Sequence, residues 1–198
     1  MTPSAVLQPP MVLEPPSLAA EHPTLAIGAA APPFEDLLGT DGGRYGVSTF
    51  EGREAIVVIF SSNRCPTAKA YGSRMNALQA DYAAQGVQVV AVNSNSPHLY
   101  PDESFAAMVD RAAEDGYLFP YLVDDGQRVA KAWGPTCTFH VFLLDRDRRV
   151  RYEGRFDDAR LAERVTSNDL RNAVDSVLAG REVAVPKTRP FGCGLDLI

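Results

Sequence analysis

The alternation of apolar and polar positions predicts an α/β chain. Ile56 to Phe60 is an uninterrupted apolar run rich in β-branched residues and reads as a buried strand. A short polar loop, Ser61 to Arg64, then leads to Cys65 and Pro66, after which Ala68, Tyr71, Met75, Leu78 and Tyr82 recur at helical spacing until Gly86 stops the helix. Val87 to Val92 carries no charge and reads as a second strand covered on both faces. Phe105, Met108, Val109 and Ala112 mark a helix over residues 104–114, and a short helix is predicted from Gln127 to Trp133 after the Asp124-Asp125-Gly126 turn. Val141 to Leu144 and Val150 to Glu153, joined by Asp145-Arg146-Asp147, form a hairpin. Leu170, Ala173, Val174, Val177 and Leu178 give a last helix over residues 168–179, with Gly180 just past its end. Ahead of the first central strand, Phe34 to Leu38 and Arg44 to Val47 flank a Gly-rich turn and predict an N-terminal β-hairpin.

Two flanks fall outside this pattern. Residues 1–23 hold six of the fifteen prolines without periodicity and are expected to be a flexible tail. Residues 24–184 make the folded domain, and residues 185–198, apolar at both ends and carrying Cys193, are expected to be a tail that docks on it. At 198 residues and 45% hydrophobic, the domain is large enough to bury about 70% of its unfolded surface.

A net charge of −6, with no run of Lys or Arg, argues against a nucleic-acid or anionic-membrane partner. No apolar run approaches the roughly 18 to 20 residues of a membrane span, and the first residues lack a basic start and apolar core, so a cytoplasmic setting is expected. Cys65, Cys137 and Cys193 are too few and too scattered for a disulfide framework or a zinc site, so no metal and no cofactor is expected. His22, His98 and His140 each stand alone.

The candidate chemistry lies at Cys65. A cysteine at a helix N-terminus meets unpaired N–H groups and the positive end of the helix dipole, which favour thiolate over thiol. Pro66 suits the first helical position because no N–H is needed there. Arg64 and Lys69 add positive charge nearby in sequence.

The order of elements, with a cysteine beyond the end of the first central strand, resembles the thioredoxin fold. More closely, the chain resembles thioredoxin-like proteins of the redoxin (AhpC/TSA-related) group that carry an Asn-His-Cys-Pro motif. The matching pieces are Asn63-Arg64-Cys65-Pro66, Asn93-Ser94-Asn95, Tyr100-Pro101, Gly116 to Tyr121, Cys137-Thr138, Gly154 to Asp158 and Gly192-Cys193. This resemblance implies a central mixed sheet flanked by helices and thiol–disulfide or peroxide chemistry, with Cys65 as the attacking thiol. Protein or small-molecule disulfides, or peroxides, are the implied partners, and a homodimer is compatible with the sequence. Asn63, Arg64, Pro66, Thr67 and Thr138 are the expected supporting residues.

Several departures shape the mechanism. Ala68 stands where thioredoxins place a second cysteine, and Ser62 stands where the resembled group commonly places one, so no local Cys-x-x-Cys exists. Any partner for Cys65 comes from far along the chain or from another molecule; within the chain Cys137 is the first candidate, because in a thioredoxin-like fold its loop lies beside the attacking thiol, and Cys193 is the second. Arg64 replaces the motif's histidine, and Phe139 follows Thr138 where the fold carries a cis-proline. Since a non-proline cis bond costs about 2.5 to 4 kcal/mol, that loop is expected to be trans or altered. Peroxiredoxins share the string Cys65-Pro66-Thr67, but their upstream Thr and Pro are Ser62 and Val58 here. Two alternatives are a protein-binding scaffold without redox turnover and a copper-binding module using Cys65 and His140.

Overall fold

The computed structural model describes residues 24–195 and 197; the expected flexible tail, 1–23, lies outside them. A seven-stranded sheet runs in the order β2-β1-β5-β4-β3-β6-β7. Its strands are β1 (Leu37–Gly39), β2 (Arg44–Tyr45), β3 (Ala55–Ser61), β4 (Val87–Asn93), β5 (Tyr121–Val123), β6 (His140–Asp145) and β7 (Val150–Gly154). β3, β4 and β5 are parallel, while β1, β2, β6 and β7 are added antiparallel, so the sheet is mixed. The helices are α1 (Pro66–Ala70), α2 (Gly72–Tyr82), α3 (Phe105–Glu114), α4 (Arg128–Trp133) and α5 (Asp169–Leu178).

Every residue of β3 is buried, because the strand is central and covered on both faces. Alternate residues point to opposite faces and so enter two cores. Ala55, Val57 and Ile59 meet Tyr71, Met75 and Leu78 together with Leu170 and Val174 of α5. Ile56, Val58 and Phe60 meet Phe34, Trp133 and Phe142. Trp133 is a core anchor, with its Nε1–H donating to Pro32 O at 3.0 Å and its ring edge-on to Phe60 and Phe142. Strand β3 is thereby clamped from both sides, and its carboxyl end is a rigid mount for the loop that follows.

Three features depart from the sequence reading. The expected single helix after Cys65 is two helices, because the Tyr71 N–H bonds Ala68 O at 3.2 Å rather than continuing the i−4 ladder. β5 carries no periodic signal in three residues and exists because β4 and β1 pair with it on either side. The N-terminal hairpin is present but shorter than the apolar pattern suggested, and Val47, expected to end its second strand, instead opens the 3-10 turn Val47–Phe50. Among the described residues no helix is long and apolar enough to cross a membrane.

Candidate active site

Cys65 is the N-cap residue of α1, with extended backbone (φ −63°, ψ 118°) and Pro66 in the first helical position. Its carbonyl accepts the first helical bond from Lys69 N–H at 3.0 Å. The residue is only 1% exposed. Burial alone would push the thiol up, but a hydrogen bond from the Cys193 thiol and the amides of Ala68, Cys193 and Thr67 together hold it below the usual thiol range. The uncharged thiol makes no capping bond of its own, so those amides act on the anion, as expected at a helix N-terminus. Cys193 moves the opposite way: burial, its proton shared with Cys65 and the neighbouring sulfur charge push it up to about 11. Of the two sulfurs, Cys65 is the one favoured as thiolate.

The second thiol beside Cys65 is therefore Cys193, which the sequence reading ranked behind Cys137. Cys137 is close enough for its proton affinity to feel the Cys65 charge, but burial is its dominant influence and raises it to about 11, with Thr136 as its hydrogen-bond partner. All three cysteines are free.

Preceding Cys65, the loop is organised by a residue that sequence reading missed. Glu103 ends the 3-10 turn Pro101–Glu103 and is 2% exposed. One of its oxygens accepts from the Ser62 hydroxyl and from Arg64 N–H (3.2 Å). The other accepts from Asn63 N–H (2.8 Å) and Asn93 Nδ2 (2.9 Å). Ser62 Oγ in turn accepts from the N–H groups of Arg64 and Cys65, both at 3.0 Å. The position that could have carried a second cysteine instead carries a hydroxyl linking a buried carboxylate to the Cys65 amide. No periodicity or motif marks Glu103; a lone acid before the Ser104 N-cap reads as an ordinary helix start.

The other expected residues take up distinct roles. Asn63 Nδ2 donates to Asp102 O at 2.9 Å, and Asn63 Oδ1 accepts from Tyr121 at 3.0 Å, so it ties the loop to two elements. Arg64 is exposed and lies over the Tyr100 ring, 3.7 Å from its centroid. Its charge favours the thiolate of Cys193. Pro66 is exposed, while Thr67 is buried and supplies one of the amides facing the sulfur. Thr138 is buried, and its N–H donates to Cys193 O at 2.8 Å.

As expected, the bond before Phe139 is trans; no cis peptide occurs among the described residues. Phe139 instead adopts a left-handed φ of 72°, a conformation that is costly for a bulky side chain. The cost is offset by its N–H bonding Phe60 O at 2.5 Å and its ring packing 4.3 Å from Tyr71. The Cys65–His140 copper pair is not assembled, because Thr136 N–H donates to Nδ1 (3.1 Å) and Nε2 binds Glu153 (2.6 Å). No cluster of three or more His, Cys, Asp or Glu suited to a metal exists among the described residues.

The Cys193 hydrogen bond predicts a pH signature. A thiol held below its usual range reaches its alkylation plateau at lower pH, since only the thiolate reacts. Cys193→Ala removes the donor and should move the Cys65 alkylation profile to higher pH, whereas Cys193→Ser keeps a hydroxyl donor and should move it less. Iodoacetamide rates across pH 5 to 10 measure both (about this range brackets the thiolate transition); coincident profiles for Ala and wild type would contradict the assigned bond.

Known proteins align with this geometry. The thiol-disulfide oxidoreductase ResA of Geobacillus kaustophilus (strain HTA426) is 30% identical over 134 residues, which cover 66% of this chain and 70% of that protein. Among solved structures, a hypothetical protein from Sinorhizobium meliloti 1021 superposes with a TM-score of 0.81 at 40% identity, covering 87% of this chain and 94% of that one. An uncharacterized conserved protein from Geobacillus kaustophilus gives 0.82 at 36% identity, covering 88% and 93%. The family model described as Redoxin matches residues 26–172, which span the sheet, the Cys65 loop and most of the helices. A cysteine at a helix N-terminus on a thioredoxin-like sheet, within a match of that extent, makes this chain a member of the Redoxin family.

Proposed function

We propose that this redoxin is a thiol–disulfide oxidoreductase in which Cys65 is the nucleophile and Cys193 the resolving thiol. The observation that carries the reading is the placement of Cys193, packed against the core that holds Cys65 and fixed by Thr138 N–H on its carbonyl at 2.8 Å, beside a Cys65 thiol that is lowered while its own is raised. The Cys65 thiolate attacks a substrate disulfide; a new S–S bond forms to Cys65, and the other substrate sulfur leaves as a thiolate. Cys193 then attacks Cys65 Sγ, closing an intramolecular disulfide and releasing the second substrate sulfur. Two electrons pass from the cysteine pair to the substrate, and an external dithiol returns the pair to its reduced state. Asn63, Ser62 and Glu103 hold the loop, and Thr138 holds the backbone of Cys193.

Peptide mapping tests the reading. After treatment with oxidised glutathione, mass spectrometry is expected to find a Cys65–Cys193 disulfide and little oxidation of Cys137. A Cys65–Cys137 bond would overturn the assignment of Cys193. A Cys65 that forms neither adduct nor bond would favour the scaffold alternative. Hydrogen peroxide in place of glutathione asks whether the same pair also resolves a sulfenic acid.

A further inference from the structure

Beyond α5 the described residues form no helix or named strand, yet they follow a defined path to Cys65. Residues 186–188 run beside β7: Glu153 N–H donates to Pro186 O at 3.0 Å, Thr188 N–H donates to Glu153 O at 3.1 Å, and Lys187 bridges Glu153 in parallel fashion. Thr188 Oγ1 lies 2.6 Å from the Tyr152 hydroxyl and accepts from Arg155 N–H at 3.0 Å. Farther on, Phe191 packs near Tyr71, and Gly192 presses so closely on Thr138 that a Cβ there would lie 1.8 Å from its carbonyl oxygen. Cys193 follows at once. The arm is held at two places, one beside β7 and one over the site.

At the first of these places sits a buried charge that the chemistry at Cys65 does not use. Glu153 is 2% exposed. Its Oε2 binds His140 Nε2 at 2.6 Å, and Thr136 N–H donates to His140 Nδ1, so both ring nitrogens are engaged. Glu153 Oε1 has no hydrogen-bond partner among the described residues, but the Lys187 ammonium lies 2.5 Å away. Desolvation would push this carboxyl up, but His140 and Lys187 hold it below the usual range. Burying an anion without a countercharge is costly, so the carboxylate draws Lys187 and the chain around it onto β7. Lys187 is itself 67% exposed and borders a cavity of about 330 Å³ shared with Thr136, His140 and Glu153, so its release requires no repacking.

We infer that Glu153 and Lys187 are positioning residues for the resolving step: the pair latches residues 186–188 to β7 and thereby keeps Cys193 over Cys65. The inference rests on Cys193 as the resolving thiol. In that step the Cys193 sulfur attacks Cys65 Sγ of a mixed disulfide, the Cys65–Cys193 bond forms, and the bond to the substrate sulfur breaks. The substrate thiolate leaves and takes up the proton shed by Cys193. The same latch shields Cys65 in the reduced protein, because Phe191 and Cys193 of the docked arm pack against the core cluster that holds Cys65, a residue only 1% exposed. Loosening it has two opposite consequences: Cys65 becomes easier to reach from solvent and harder to reach from Cys193.

The test uses Lys187→Met, which leaves the buried Glu153 without its countercharge, beside Lys187→Arg, which restores the charge, and Glu153→Gln, which removes the buried anion itself and keeps the fold free of that penalty. Iodoacetamide labels the reduced proteins, and glutathione buffers set the equilibrium between dithiol and Cys65–Cys193 disulfide. Lys187→Met is expected to raise the Cys65 alkylation rate and lower the effective concentration of Cys193, each by roughly threefold to tenfold, with Arg closer to wild type. Cys137 alkylation in the same samples should stay constant, which separates loosening of the arm from loss of fold. Unchanged Cys65 alkylation together with an unchanged equilibrium overturns the latch while leaving the resolving role of Cys193 intact. Absence of a Cys65–Cys193 disulfide in the wild type overturns that role and the latch with it.

Discussion

Cys193→Ala should stall the protein at the mixed disulfide between Cys65 and its substrate, with turnover down by about 100-fold or more, because an intramolecular thiol is replaced by dilute external ones. The raised proton affinity of Cys193 in the reduced protein does not argue against its role. Burial is the first cause, but the next two are its hydrogen bond to Cys65 and the charge on Cys65. Both disappear when Cys65 is bonded to substrate, and the Arg64 charge, which favours the Cys193 thiolate, remains. Cys193 is thus easier to ionise at the stage when it must attack. Turnover of a small disulfide with a dithiol reductant, followed by intact-mass detection of the Cys65 adduct, measures the effect. Cys137→Ala serves as the comparison and should stay near wild type. Should Cys193→Ala turn over normally without an adduct, resolution comes from elsewhere.

Glu103→Ala is expected to be the most damaging single change to the loop. It leaves the Ser62 hydroxyl, the N–H groups of Asn63 and Arg64, and Asn93 Nδ2 without their acceptor in a buried place. An unsatisfied buried donor costs about 1 to 3 kcal/mol. Entering water restores part of the loss, so a net destabilisation of about 3 to 5 kcal/mol is expected, a large share of the roughly 5 to 15 kcal/mol typical of a domain. Glu103→Gln retains one carbonyl acceptor but turns an N–H toward donors, and its effect should be intermediate. Urea unfolding gives the stability, and the pH profile of Cys65 alkylation in the folded variants reports whether the Cys65 amide has lost its Ser62 partner. A Glu103→Ala protein within about 0.5 kcal/mol of wild type, the range of an ordinary surface substitution, would show that the clamp is not needed.

The two variants act at opposite ends of the same loop. Glu103 sets where Cys65 stands relative to the helix N-terminus; Cys193, in the proposed cycle, resolves the bond that Cys65 forms. Neither change alters the sheet, because β3 is held by two cores and does not depend on the loop it carries.

Much of the architecture was legible in the chain because its signals are local. The β-branched run Ile56 to Phe60, the Cys65-Pro66 junction and the helical spacing from Ala68 to Tyr82 each depend on neighbours a few residues apart, and they assemble strand, loop, thiol and helix in the order observed. The absence of a local second cysteine was equally plain from Ser62 and Ala68. Where pairing partners lie far away, the pattern is silent. Three-residue β5 exists only through β4 and β1, and the break at Tyr71 interrupts a helix whose apolar spacing continues straight through it.

The same division runs through the site. That Cys65 meets the N–H groups of a helix N-terminus follows from its place before Pro66, since a helix start supplies them wherever it occurs. That Cys193 rather than Cys137 donates to it depends on an arm whose course is decided by Glu153, Lys187 and the bare Gly192 backbone against Thr138. Glu103, too, is an unremarkable acid in the chain until folding surrounds it with four donors. Local order carries the reactive sulfur because helix capping is a short-range effect. Its partner and its clamp belong to the tertiary structure, because buried charges and docked segments take their meaning from residues that only packing brings together.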